Sequence, residues 1–354
     1  MKYLRWLLFP FSLLYGLAVI IRNWCYDSGI LKSRAFGIPV ICVGNLEVGG
    51  AGKTPMTEYL IRLFKDHYRL ATLSRGYGRA TQGYLEATAT ATAAEVGDEP
   101  AQFKHKFPDI TVAVCESRVE GIRHLQKGHK LIILDDAFQH RAVKPGFSIL
   151  LFDYSKLHDA ALLLPAGNLR EPLSGRWRAD VLVVSKCPAD LPGDEQTRIA
   201  DRLRPLPWQQ VFFTGIAYEP FRVLNRTEPA QTPDTDTAVF LLTGIANPRP
   251  LETYIRTFTS HIIHHNYPDH HRFSLKNIAK LAEEFEGHSA QKKVIVTTEK
   301  DEQRLLEHEL LPLLSRLPVQ VAPIGIRFSG DGREEFDHLV KTYVREHTAN
   351  HIIH

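Results

Sequence analysis

The sequence predicts an α/β protein: a mostly parallel sheet covered by helices, a second, smaller α/β domain, and a membrane-associated helix at the N-terminus. Three observations carry this. Short β-branched runs alternate with longer helical stretches over most of the chain. A Gly-rich turn joins an apolar strand to a helix at residues 43–54. An apolar run bracketed by basic residues opens the chain. With 354 residues, two compact units are the natural expectation.

The first element is the apolar run Trp6–Ile21. Residues 1–34 carry Lys2, Arg5, Arg22, Lys32 and Arg34 against Asp27 alone, so the basic excess is local and the rest of the chain is slightly acidic. That balance speaks against a nucleic-acid partner. As a helix the run reaches about 24 Å, short of a hydrocarbon core of roughly 30 Å, and Pro10 interrupts it. Arg22 follows directly and there is no A-x-A site, which disfavours a signal peptide. Basic residues beside Trp6, Tyr15 and Trp24 suit a helix lying in an anionic membrane interface; a buried core helix is the alternative. The four cysteines form no CxxC pair, which excludes a zinc ribbon and a disulfide scaffold.

Strands are then expected at Val40–Val43, Leu70–Leu73, Thr111–Val114, Leu131–Leu134, Ile149–Phe152 and Val181–Val184, with helices at Thr54–Lys65, Pro100–Phe107 and Val119–Lys127. Continuous apolar strands between helices mean a parallel sheet covered on both faces, with ligands at the carboxyl ends of the strands. Val211–Leu224 holds two extended runs, and the polar Asn225–Thr237 reads as a linker. Further strands at Val239–Thr243, Ile262–His265, Val294–Thr297 and Val319–Ile324 form the second unit; the helix Arg333–Glu346 could pack on either. The expected division is residues 1–34, 35–208, 209–237 and 238–354.

The turn Gly49-Gly50-Ala51-Gly52-Lys53-Thr54 lets backbone N–H groups close around phosphate oxygens at a helix N-terminus. Lys53 would reach the β/γ-phosphates and the Thr54 hydroxyl would ligate Mg²⁺. The strict pattern asks for Gly at position 47, where this chain has Glu47. Lys130–Asp136 supplies the second half of such a site, an apolar strand ending in Asp135 and Asp136 as Mg²⁺ carboxylates. This makes the sheet P-loop NTPase-like. Val184-Ser185-Lys186-Cys187-Pro188 lacks the aspartate of a guanine reader, so ATP is the expected nucleotide.

The strand-end segments form a set: Leu73–Arg79, Val96–Pro100, Asp135–His140, Leu164–Pro172, Thr243–Pro248, Tyr267–His271 and Thr297–Asp301. Seven such motifs, in order from about Val40 to Asp301, resemble the tetraacyldisaccharide 4'-kinase (lipid A 4'-kinase) family. The resemblance implies transfer of the ATP γ-phosphate to the 4'-hydroxyl of a tetraacyl glucosamine disaccharide 1-phosphate on the cytoplasmic face of the bacterial inner membrane, by a peripheral or shallowly inserted enzyme. It also implies a P-loop kinase domain, a two-stranded linker and a smaller C-terminal domain. Glu47 stands where the family usually has Ser or Thr, and Asn168 where proline is common.

By resemblance, Asp98 is the catalytic base and His270 its partner from the second domain. Asp98 before Glu-Pro also suits a helix N-cap, and His270 lies in a His-rich stretch that could be plain surface or, less well supported, a zinc site. Arg170 would neutralise charge on the transferring group, and Glu171 would lie near the nucleotide. Glu99 would face the metal. Arg75, Tyr77, Arg118, Gln139 and His140 are the candidates for holding the sugar and its phosphate. Two rivals are a P-loop ATPase or GTPase of cofactor or metal assembly, and a non-catalytic membrane adaptor. The first leaves the apolar N-terminus and Arg170-Glu171 unexplained, and the second leaves the full set Lys53, Thr54, Asp98, Asp135 and Asp136 unexplained.

Overall fold

Fourteen strands build two sheets in the computed structural model, which describes residues 7–226 and 228–352. Lys2, Arg5, Trp6 and Thr227 of the sequence reading lie outside the described residues. In chain order the strands are β1 (Val40–Asn45), β2 (Leu70–Ser74), β3 (Leu85–Glu86), β4 (Thr111–Val114), β5 (Leu131–Asp135), β6 (Phe147–Asp153), β7 (Val181–Ser185) and β8 (Gln210–Tyr218). Then follow β9 (Arg222–Val223), β10 (Thr237–Thr243), β11 (Ile262–Asn266), β12 (Lys292–Thr298), β13 (Val319–Ala322) and β14 (Ile324–Phe328).

The first sheet has the order β14-β8-β7-β6-β1-β5-β2-β4-β3, parallel from β8 to β4 with antiparallel strands at both edges. β1 lies between β5 and β6 and is buried along its whole length, which is why Val40-Ile-Cys-Val reads as an unbroken apolar run. The carboxyl ends of β1 and β5 therefore emerge side by side. The second sheet, β11-β10-β12-β13-β9, is parallel except for β9.

The segment between the sheets resolves one feature the sequence left open. β8 extends the first sheet beside β7, whereas β9 pairs with β13 in the second. The apolar run expected as one strand at Val319–Ile324 is instead two: β13 belongs to the second sheet, and β14 returns antiparallel to β8 in the first. Pro323 sits at the break, where its missing N–H cannot continue a ladder. The chain therefore crosses between the two sheets twice, after β8 and again at Pro323 before β14. The terminal helix Gly332–Ile352 packs on the first sheet, with Phe336, Val340 and Val344 against Phe212 and Phe328. Tyr343 reaches back to accept from the Val40 N–H at 3.0 Å.

Helix Phe9–Asp27 turns the usual pattern inside out. Its buried residues are Ser12, Gly16 and Val19, and these small side chains let it lie close to the loop around Leu163; a Cβ on Gly16 would stand 2.7 Å from Leu163 Cδ1. Polar bonds hold it there. Ala166 N–H donates to Ser12 Oγ at 2.8 Å, Tyr15 donates to the Arg170 carbonyl at 2.8 Å, and Asn23 donates to Glu171 at 3.1 Å. Phe11, Leu13, Leu14, Leu17, Ile20, Ile21 and Trp24 face outward, 51–67% exposed. The alternative of a buried core helix is thereby corrected: only the small-residue stripe is covered. Among the described residues no helix is long and apolar enough to cross a membrane.

A buried ion cluster joins the sheets under helix Asp98–Lys106. Lys106 Nζ stands 2.7 Å from Glu58 and 2.7 Å from Glu299, and the Ile324 N–H donates to Glu299 at 3.1 Å. Burial, reinforced by Glu299, pushes the Glu58 carboxyl up to about 7 although Lys106 opposes it. Removing one partner of such a pair leaves uncompensated buried charge. Lys106→Met is expected to destabilise the fold by about 3–5 kcal/mol in denaturant titration; a change near zero would mean that the carboxylates relax by simple protonation.

Candidate active site

The site is built where β1 and β5 end. After Asn45 the chain enters the turn in which Gly49 and Gly52 adopt positive φ (96° and 82°), a conformation costly for other residues. Helix Lys53–Phe64 then starts with its first N–H groups toward the turn. Lys53 Nζ donates to Asn45 Oδ1 at 3.1 Å and lies 3.6 Å from Asp136 Oδ2. Arg170 donates to both Asp136 oxygens at 3.2 and 2.8 Å, and to the Asn45 carbonyl at 3.0 Å and side-chain oxygen. Two cations thus converge on one carboxylate and one amide at the mouth of the phosphate turn.

The paired aspartates differ in environment. Asp136 takes φ 47°, a left-handed turn that aims it at Lys53 and Arg170, away from the strand direction. Burial raises its carboxyl, but Lys53, Arg170 and Arg118 together hold it below the usual range. Asp135 turns toward helix Lys53–Phe64 and accepts from Thr57 at 3.2 Å. Burial, then Asp136 and Glu99, push it up to about 7. A divalent cation reverses that balance by favouring the anion. The Thr54 hydroxyl with Asp135 and Asp136 is a set of hard oxygen donors of the kind Mg²⁺ takes alongside phosphate and water, so these residues fit the metal. Nδ2 of Asn45 and Nε of Arg170 are buried without a hydrogen-bond partner among the described residues, as expected beside a polyanionic ligand. Glu47 lies 3.8 Å from Lys156 Nζ, which offsets its charge at the turn; burial nonetheless raises its carboxyl, against the opposing pull of Lys156.

On the other side of the mouth, Asp98 is the first residue of helix Asp98–Lys106, with Gly97 as the cap. Its Oδ2 lies 2.9 Å from His270 Nδ1, so the two residues meet across the sheets. A carboxylate only accepts, so Nδ1 carries the proton; Nε2, 3.2 Å from Lys300 Nζ, is then the acceptor. Burial raises the Asp98 carboxyl, but the His270 bond and Arg304 outweigh it and keep it low. Glu99 pairs with Lys300 at 3.2 Å.

The remaining candidates fall in two groups. Arg75 and Tyr77 are exposed at the rim, Tyr77 with its ring 6.0 Å from that of His270. Arg118 is buried and donates to the Cys115 carbonyl at 3.2 Å. Burial, then Arg118, Arg22 and Arg75, depress the His140 imidazole to about 4. Gln139 and Glu171 are committed to the protein: Gln139 Nε2 donates to the Asn45 carbonyl (2.8 Å) and to Glu171 (3.0 Å), and Glu171 also accepts from Asn23 and Arg178. Glu171 is only 2% exposed and lies between the N-terminal helix and the Gln139 loop, a different setting from the nucleotide contact the resemblance implied. Asn45, Lys156, Lys300 and Arg304 escaped the sequence reading. Lys300 lay inside a quoted motif, and Asn45 lay inside the Gly-rich segment at residues 43–54.

A strand–turn–helix phosphate cradle, a strand-end carboxylate pair and a carboxylate–imidazole pair facing it define a P-loop phosphotransferase. A family model for tetraacyldisaccharide-1-P 4'-kinase matches residues 4–345. The tetraacyldisaccharide 4'-kinase of Bacteroides thetaiotaomicron is 42% identical over 98% of this chain and 94% of its own length. That of Flavobacterium psychrophilum is 43% identical over 99% of this chain and 100% of its own. A crystal structure of LpxK from Aquifex aeolicus in complex with ATP superposes with a TM-score of 0.74 at 28% identity, covering 96% of this chain and 99% of that one. The chain belongs to the tetraacyldisaccharide 4'-kinase family and is an ATP-dependent kinase that uses Mg²⁺.

Asn45 is the common acceptor for Lys53 and Arg170. Asn45→Ala is expected to lower kcat/KM for ATP about 10- to 100-fold without changing the melting temperature, as for loss of one preorganised electrostatic contact. Unchanged kcat/KM would show that Asp136 alone positions both cations.

Proposed function

We propose that the enzyme transfers the γ-phosphate of ATP to the 4'-hydroxyl of a tetraacyl glucosamine disaccharide 1-phosphate with Asp98 as the base. The observation that carries the role of Asp98 is its hydrogen bond to His270, which with Arg304 holds the carboxyl below its usual range and so in its ionised form. Phosphoryl transfer is loose at the transition state, so a weak base suffices if it orients the hydroxyl and accepts its proton late. Asp98 takes that proton and His270 Nδ1–H steadies the carboxylate. Lys53 and Arg170 stabilise charge on the phosphoryl oxygens. Mg²⁺, held by Thr54, Asp135 and Asp136, would supply further neutralisation of the phosphates when bound. Arg75, Tyr77, Arg118 and His140 would hold the sugar and its 1-phosphate. Gln139 and Glu171 would act one step back, bracing the loop beside Asn45.

The working unit comprises a nucleotide domain on the first sheet, a double crossing after β8 and before β14, and a smaller domain on the second sheet that delivers His270. The enzyme works at the cytoplasmic face of the inner membrane, lying on the bilayer by the outward face of helix Phe9–Asp27. Its seven large apolar side chains would enter the interface, while the polar bonds at Ser12, Tyr15 and Asn23 bring that surface to the mouth of the site. An acyl-chain substrate then reaches Asp98 without leaving the membrane surface.

Transfer of labelled phosphate from γ-labelled ATP to tetraacyldisaccharide 1-phosphate in detergent micelles tests the reaction. Labelled lipid is expected from the wild type, reduced about 10²- to 10⁴-fold in Asp98→Ala. Lys53→Ala is likewise expected to be deeply impaired. ATP hydrolysis without labelled lipid would instead favour the cofactor- or metal-assembly ATPase. For the membrane, replacing Leu13, Leu14 and Leu17 by Ser is expected to abolish sedimentation with anionic phosphatidylglycerol vesicles and leave the fold intact by circular dichroism; retained sedimentation would remove the helix from that role.

A further inference from the structure

The Asp98–His270 pair has a third member. Arg304, on helix Glu299–Leu305, donates from Nε to Asp98 Oδ2 at 3.0 Å, with Nη2 2.9 Å from the same oxygen as an ion-pair contact. That oxygen is the one facing His270 Nδ1 at 2.9 Å. Arg304 is only 3% exposed and cannot swing away. Its Nη1 donates to the Gly244 carbonyl at 2.9 Å and to Asp301 Oδ1 at 3.1 Å. Asp301, itself wholly buried, accepts from the Gly244 N–H at 3.1 Å and from the Thr298 hydroxyl at 2.8 Å. Gly244 allows this close approach: a Cβ there would stand 3.1 Å from Asp301 Oδ1 and 3.4 Å from Arg304 Nη1.

We infer that Arg304 is a positioning residue for the base: it pins Oδ2 of Asp98 together with His270, so that Oδ1 is presented to the acceptor hydroxyl. This rests on Asp98 being the base. A carboxylate held by one hydrogen bond can still turn about its Cβ–Cγ bond, and that turn moves the accepting oxygen by more than the tolerance of a proton transfer. Two donors reaching one oxygen from separate residues remove the turn. Arg suits the role because a planar guanidinium can hold Asp98 and Asp301 at once, which an ammonium cannot. No hydrogen bond to Asp98 Oδ1 occurs among the described residues, which leaves that oxygen for a ligand. Arg304 and His270 both come from the second sheet's side, so the smaller domain contributes the orientation of the base as well as its imidazole.

The test is a cycle of Arg304→Met, Arg304→Lys, Asp98→Asn and the doubles, read by 4'-phosphate transfer, by KM for ATP and by binding of a fluorescent ATP analogue. Arg304→Met is expected to lower kcat about 100-fold, the scale of a misplacement near 1 Å, with KM and nucleotide binding unchanged. Arg304→Lys should recover part of the loss, and neither change should lower the rate further in the Asp98→Asn background. Wild-type kcat in Arg304→Met, or the same fold-loss in the Asp98→Asn background as in the parent, would overturn the inference. If Arg304→Met does not fold, the Arg304→Lys arm of the cycle decides in the same way. Wild-type activity in Asp98→Asn alone would instead remove the base, and Arg304's role with it.

Discussion

The hydrogen bond between Asp98 and His270 is the contact around which the molecule is arranged. The two residues are 172 positions apart, Asp98 opening a helix of the first sheet's unit and His270 in the turn after β11 of the second, so the bond exists only while the sheets keep their relation. Nothing local provides that. It is provided by the paired strands β8 and β14, from which the chain passes to the second sheet, and by the buried cluster of Lys106, Glu58 and Glu299 beneath helix Asp98–Lys106. Isolated, each of these charges would cost several kcal/mol to bury; arranged around one lysine they fix a geometry in preference to adding stability. His105 meets Gln303 at 2.6 Å along the same helix pair, so one junction carries both the structural ions and the candidate base.

A second principle governs the phosphate side. Lys53, Arg170 and Asp136 neutralise one another in the free protein, and the same cations face the place where triphosphate charge would arrive. The carboxylate thus acts as a stand-in that keeps both cations oriented, which lowers the reorganisation needed when an anion binds. Asp135 is pushed up to about 7 by burial, then by Asp136 and Glu99, with Lys53 opposing, so a cation beside it would favour its anion. The N-terminal helix attaches to this assembly through Tyr15, Arg22 and Asn23, so its exposed apolar face is coupled to the loops carrying Arg170 and Gln139.

The nucleotide half of the site was legible in the sequence because its signals are local. A buried strand, glycines at positive φ and a strand-end Asp pair each follow from residues within a few positions of one another. The apolar N-terminus was legible as a helix, but not its orientation: only packing shows that Ser12, Gly16 and Val19 turn inward and the large side chains outward. The last strand was misread as one element because apolar periodicity carries across Pro323, while hydrogen bonding does not. Arg304 could not be found from its surroundings, since its partner Asp98 is 206 residues away. Glu171 matched a motif, yet its hydrogen-bond partners are Asn23, Gln139 and Arg178, a setting that depends on where three separate segments converge.

The central claim is that the base is completed across the junction of the two sheets. The most direct measurement is kcat for 4'-phosphate transfer in Asp98→Ala, His270→Ala and the double variant. If the two side chains act as one unit, the double variant is no slower than Asp98→Ala alone. If the two losses multiply, the residues act independently, and the contact across the sheets is packing without a part in the reaction.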